Sequence, residues 1–105
     1  MHKLMLLFEK PEKVLEFEQK WSESFVALAE SMPGITRVAV IRIYGNPTED
    51  SSLHMIHEFY FEDSESLRAA MLSSEGRMAG QALMSFASDV VTIVFAEHLE
   101  EARPL

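Results

Sequence analysis

Two segments of this chain, Leu4 to Phe8 and Val90 to Phe95, are apolar at both odd and even positions, Thr92 apart. Strand side chains alternate between faces, so a strand apolar in both parities has to be covered on both sides. Only two helical patterns accompany them. Two helices cover one face of a four-stranded sheet, and an open face this apolar would be a wide hydrophobic patch. A second copy packed sheet to sheet would cover it. The pattern therefore predicts a homodimer through the sheet face.

The remaining patterning places the elements. The first strand is read at His2 to Glu9, and Pro11 suits the first position of a helix because its φ is already helical. Val14, Phe17, Trp21, Phe25, Leu28 and Met32 keep a 3–4 spacing and form one helix face. Met32-Pro33-Gly34 ends that helix. A strand rich in β-branched residues is expected over Ile35 to Gly45, a polar loop over Asn46 to Ser52, and a third strand over Leu53 to Phe61. Asp63 or Ser64 fits an N-cap. Leu67, Met71, Met78, Leu83 and Phe86 mark a second helical region, broken near Gly76. A last strand, Val90 to Leu99, precedes a charged tail ending at Leu105. The order βαββαβ with right-handed crossovers predicts an α+β, ferredoxin-like domain over residues 1–105. It has a four-stranded antiparallel sheet with two helical layers on one face.

Composition narrows the function. The 105 residues suit one domain, and the absence of Cys excludes disulfides, Cys-zinc sites and thiol nucleophiles. Nine Lys and Arg against 17 Asp and Glu give a net charge of -8. Such a surface repels phosphate backbones and anionic membranes, so neither nucleic acid nor a membrane is an expected partner. The apolar runs are too short for a signal peptide core or a membrane span, which points to the cytoplasm.

Candidate chemistry gathers on the second and third strands. If these form a hairpin with Tyr44 opposite His54 and Arg42 opposite Ile56, then Tyr44, Arg42, His54, Glu58 and Tyr60 share one face. A slip of one residue would undo the cross-strand part of this set. A carboxylate at Glu58, amid His57-Glu58-Phe59-Tyr60-Phe61, needs a partner or a raised pKa. One reading is a Glu58–Arg42 pair that fixes the sheet. The other makes Glu58 an acid/base or ligand anchor in a cavity, with His54 and His57 as further candidates. His54-Met55-Ile56-His57 is not a metal motif. Its imidazoles point to opposite faces, and His54 lies roughly 13 Å from Glu58 along the strand. No metal and no cofactor is expected. Gly76-Arg77-Met78-Ala79-Gly80 lacks the Lys-Ser/Thr of a phosphate loop.

Five stretches taken together carry a likeness: Phe8-Glu9-Lys10-Pro11, Met32-Pro33-Gly34-Ile35, Glu58-Phe59-Tyr60-Phe61-Glu62-Asp63-Ser64, Ser73-Ser74-Glu75-Gly76-Arg77, and Phe86-Ala87. In this order and over nearly the whole chain they resemble the EthD family of the dimeric α+β barrel superfamily. The resemblance implies two sheets closing a barrel, helices outside, and a pocket between sheet and helices in each subunit. It implies an apolar pocket, which Trp21 and Phe25 would help to line, for a small hydrophobic or aromatic metabolite. Fold kinship alone does not choose a reaction; the Glu58 carboxylate amid apolar residues, with the dimer-barrel pattern, leads to a cofactor-independent isomerase, cyclase or lyase, or a component of a degradation pathway. Glu58 would act as acid/base while Arg42 or Tyr44 steers polarity, with Tyr60 as a further binding residue. The alternative is a non-catalytic binding or oxygenase-accessory protein. Haem-linked activity in the superfamily needs an axial histidine, and no helix position here supplies one. Many family members carry His-x-Pro-Leu on the first helix; counting back from Pro33-Gly34, this chain has Phe25 for the histidine and Ala27 for the proline, with Leu28 retained. A phenyl ring cannot move a proton, which favours the alternative.

Overall fold

The computed structural model describes residues 1–48 and 52–104. Strand β1 (His2–Glu9) leads through α1 (Val14–Lys20), a π-helical turn (Trp21–Phe25) and α2 (Val26–Glu30) to β2 (Arg37–Arg42). Then follow β3 (Leu53–Phe61), α3 (Ser64–Leu72), α4 (Ser74–Ala87) and β4 (Val91–Glu97). The four strands form one antiparallel sheet in the order β2-β3-β1-β4, with the helices on one side. The α+β, ferredoxin-like arrangement expected from the patterning is the one found. β1 and β3 have the expected bounds; β2 and β4 are shorter than read.

Along β3, Met55, His57, Phe59 and Phe61 face the helices and are fully buried. Leu4, Leu6 and Phe8 of β1 join them, and Phe17, Trp21, Phe25, Ala29 and Met32 close over this layer. Each such aromatic or Leu side chain contributes about 2–3 kcal/mol of transfer free energy.

The helix stripe is spaced 17, 21, 25, 29. A strict four-residue repeat drifts about 40° per step on a 3.6-residue helix. The π turn, in which the Val26 amide donates to Trp21 O, is wider and takes out part of that drift. Trp21 and Phe25 thereby stay on the sheet. The helix begins at Val14, not Pro11: Lys13, at φ -113 and ψ 86, is outside the helical region and supplies no side-chain cap. Gly34, at φ 85, makes the turn after Met32-Pro33.

The second helical region breaks at Ser73, three residues before Gly76. Ser73 is extended, ends α3, and caps α4 by accepting from the Gly76 amide at 3.0 Å. Gly76 itself lies where a Cβ would stand 2.2 Å from Ala70 O, so its role is close packing of α4 on the end of α3. Asp63 caps α3 by accepting from Ser66 N at 2.8 Å. Of the polar loop expected over Asn46 to Ser52, residues 49–51 lie outside the described residues, as does Leu105.

Candidate functional site

The register of β2 on β3 decides which candidates meet. Arg42 pairs with Met55 and Ile41 with Ile56, one residue away from the hairpin expected above. The slip turns Arg42 toward the helices, away from Glu58. His54 follows it for a second reason. β1 pairs Phe8 with Met55 but Glu9 with Leu53, and this bulge re-aims the intervening His54. Tyr44 lies beyond the end of β2 and is fully exposed. The expected common face is therefore split in two.

On the helix side, Arg42 donates to both oxygens of Glu18 in α1, at 3.0 and 2.8 Å. His54 Nε2 stands 2.7 Å from the same carboxylate. The Arg42 hydrogen bonds hold the Glu18 carboxyl below the usual range; burial opposes them, and His54 adds to the lowering. The Arg42 guanidinium also lies 5.5 Å from the centre of the Trp21 ring. Glu18 was not legible as a partner from the sequence. Its one signal is a carboxylate next to Phe17 in the apolar stripe.

On the open side, Glu58 is 3% exposed and pairs with Lys3, not Arg42. Lys3 Nζ donates to Oε2 at 2.7 Å and the Tyr60 hydroxyl to Oε1 at 2.8 Å. Burial alone would raise the Glu58 carboxyl, but these bonds and the Lys3 charge hold it below the ordinary range. Arg37 covers the Tyr60 ring at 4.1 Å and His98 meets it edge-on at 5.0 Å. Lys3 could have been found, being the only charge between His2 and Phe8. Around this polar end, Met5, Leu7, Ile56, Ile41 and Val94 share the open face, the last two 40% and 37% exposed.

His57 faces the helices and is completely buried. Trp21 Nε1–H donates to its Nδ1 at 3.2 Å, while Nε2 has no partner among the described residues. Its ring contacts Phe59, Trp21 and Phe25 at centroid distances of 4.3, 5.4 and 6.0 Å. Phe25, at the position where the family resemblance places a histidine, thus packs on a histidine contributed by the sheet. Burial pushes His57 down to about 4, so the imidazole is neutral at pH 7.

Phe25 and Phe59 also line an apolar slot of about 50 Å³ between the sheet and the helices. Met32 and Met71 share its wall, and the exposed Gly80 and Ile93 mark its outer end. No ionisable side chain lines it. A larger cleft of about 280 Å³, between Pro11–Lys20 and Ser85–Val90, is walled by Glu12, Lys13, Glu16, Lys20 and Asp89, and His57 lines neither this cleft nor the slot. Among the described residues no three His, Asp or Glu side chains converge as a metal site, and no helix is long and apolar enough to cross a membrane.

No family model matches the chain. The uncharacterized 11.0 kDa protein in the thcB-thcC intergenic region of Rhodococcus erythropolis is 27% identical over 100 residues, covering 92% of this chain and 94% of its own length. SnoaB, a cofactor-independent oxygenase from Streptomyces nogalater, shares the fold with a TM-score of 0.65 at 16% identity, over 99% of this chain and 97% of that one. The crystal structure of an EthD family protein from Bacillus halodurans has a TM-score of 0.91 at 33% identity, over 94% of this chain and 99% of that one. By that likeness in sequence and structure together, the chain belongs to the EthD family.

Proposed function

We propose that this protein is a homodimer that takes a small hydrophobic or aromatic metabolite into the apolar slot between sheet and helices, as a cofactor-independent isomerase, cyclase or lyase of a degradation pathway. The observation that carries the reading is His57. A neutral imidazole with an unused, fully buried nitrogen is costly in an apolar core, by about 1–3 kcal/mol. Such a group is well suited to polarise a bound molecule without a metal or an organic cofactor. The dimer is supported by the apolar open face and by the two-sided apolar strands that produce it.

Within this reading Glu58 and His57 do not act together, because neighbours on a strand point to opposite faces. Glu58, locked by Lys3 and Tyr60 beside the apolar face, fits a role in orienting the two sheets. A second reading, ligand binding without turnover, is favoured by a slot wall that carries no acid or base.

Native mass spectrometry of gently purified protein tests both parts. The expected species is twice the 11.9 kDa chain carrying a small neutral molecule. A stable monomer overturns the dimer. Once a retained molecule is identified, its recovery unchanged after long incubation selects the binding reading over catalysis.

A further inference from the structure

We infer that His57 donates a hydrogen bond from Nε2–H to the carbonyl oxygen of a neutral, hydrophobic ligand, and that Trp21 sets this polarity. The inference rests on the apolar site proposed above and names the chemistry of its occupant. An indole nitrogen is a donor only, so the nitrogen it meets at 3.2 Å has to be an acceptor. A neutral imidazole carries one proton. With Nδ1 accepting from Trp21, that proton sits on Nε2, the atom that is buried and unpartnered among the described residues.

His57 itself does not line the slot; it stands behind two residues that do. The two phenyl rings that pack on the imidazole, Phe25 and Phe59, both line it. A ligand completing the site supplies an acceptor, and the surroundings select which kind. A carboxylate would be desolvated against walls with no cation. An ammonium group would present donors to a donor. Ketones, aldehydes, esters and quinones carry a neutral acceptor on an apolar body.

Entry needs movement. A cavity of roughly 150 Å³ holds benzene, about three times the slot. Its wall is built from groups that can move. Met32 and Met71 are unbranched thioethers, and Phe25 stands at φ -114 where the π turn hands over to α2. Gly80 leaves open space at the outer end.

The test is NMR of the full-length protein with nitrogen-15-labelled histidine, titrated with acetophenone and with α-methylstyrene, which replaces its C=O by C=CH₂ at nearly constant shape. The free protein is expected to show a protonated His57 Nε2 and an unprotonated Nδ1. Acetophenone should shift the Nε2 resonance and bind about tenfold more tightly than α-methylstyrene, the worth of one hydrogen bond near 1.4 kcal/mol. In Trp21→Phe the preference should fall below about threefold. A proton on Nδ1, or equal affinity of the two probes in the unmodified protein, overturns the carbonyl assignment while leaving the apolar site intact. Failure of both probes to bind overturns the apolar site itself. If Trp21→Phe does not fold, the probe pair in the unmodified protein decides alone.

Discussion

The indole N–H of Trp21 donates to Nδ1 of His57 across 3.2 Å, tying the π-helical turn to β3 over 36 residues of sequence. The bond satisfies one ring nitrogen, while burial keeps the imidazole neutral. The bond also joins the helix layer, on which Trp21 stands, to the sheet, on which His57 stands, although neither residue lines the slot.

This burial has a pH signature. An unfolded histidine takes a proton near 6.5, whereas folded His57 resists until about 4. As pH falls below 6.5 the unfolded state binds the proton the folded state refuses, so stability declines and levels off below about 4. Between about pH 7.5 and 5 the loss should be about 2 kcal/mol. Glu18 and Glu58, both depressed, contribute stability that is lost only as pH drops through the carboxyl range below that window. Urea unfolding at the two pH values checks it. His57→Phe should flatten the dependence, and a slope that survives in that variant assigns it to other groups.

How much of this was legible in the sequence depended on the scale of the signal. Period-two and period-3.6 patterning is averaged over many residues, and it located β1, β3 and the helix stripe correctly. The face shared by Arg42 and Glu58 hung on a single register choice, and one residue of slip separated them. His54 was re-aimed by a bulge that leaves no mark in composition. Phe25 read as a lost histidine; what the sequence could not show is that β3 brings His57 against it. Which of two adjacent strand residues faces the helices was open until Leu4, Leu6 and Phe8 were seen to share a layer with His57.

Two glycines of α4 should respond in opposite directions. Gly80 has open space where a Cβ would stand, so Gly80→Ala gains helix propensity worth about 1 kcal/mol. At Gly76 the same Cβ would meet Ala70 O at 2.2 Å and Met71 O at 2.8 Å, backbone atoms that cannot swing aside. Gly76→Ala should cost roughly 2 kcal/mol or more. Thermal unfolding should show Tm rising by about 4 °C for the first and falling further than that for the second.

The Lys3–Glu58 pair should behave as a coupled unit. Lys3→Met leaves a nearly buried carboxylate with only the Tyr60 hydroxyl donating to it, a loss expected near 3 kcal/mol. Glu58→Gln leaves the mostly buried Lys3 ammonium group with a neutral acceptor and should cost less. The double variant should be milder than the sum by about 1–3 kcal/mol. Chemical unfolding of all four proteins at one protein concentration measures the coupling, the fixed concentration being needed because the proposed dimer would make stability depend on it. Strict additivity would mean that the 2.7 Å contact contributes nothing beyond each side chain's own burial.

The open face carries the test of assembly. Ile56 is central on β3, points away from the helices and lies opposite both Leu7 of β1 and Ile41 of β2. Within one subunit a lysine there can extend its charge to water over the apolar neighbours, so the fold should survive. In a sheet-to-sheet dimer the same substitution buries two ammonium groups without partners, at several kcal/mol each. Ile56→Lys should therefore elute as a folded monomer by size exclusion with light scattering, its circular dichroism unchanged, while the unmodified protein elutes as a dimer. An Ile56→Lys protein that remains dimeric places the interface on another surface, and the apolar strands would then need a different cover.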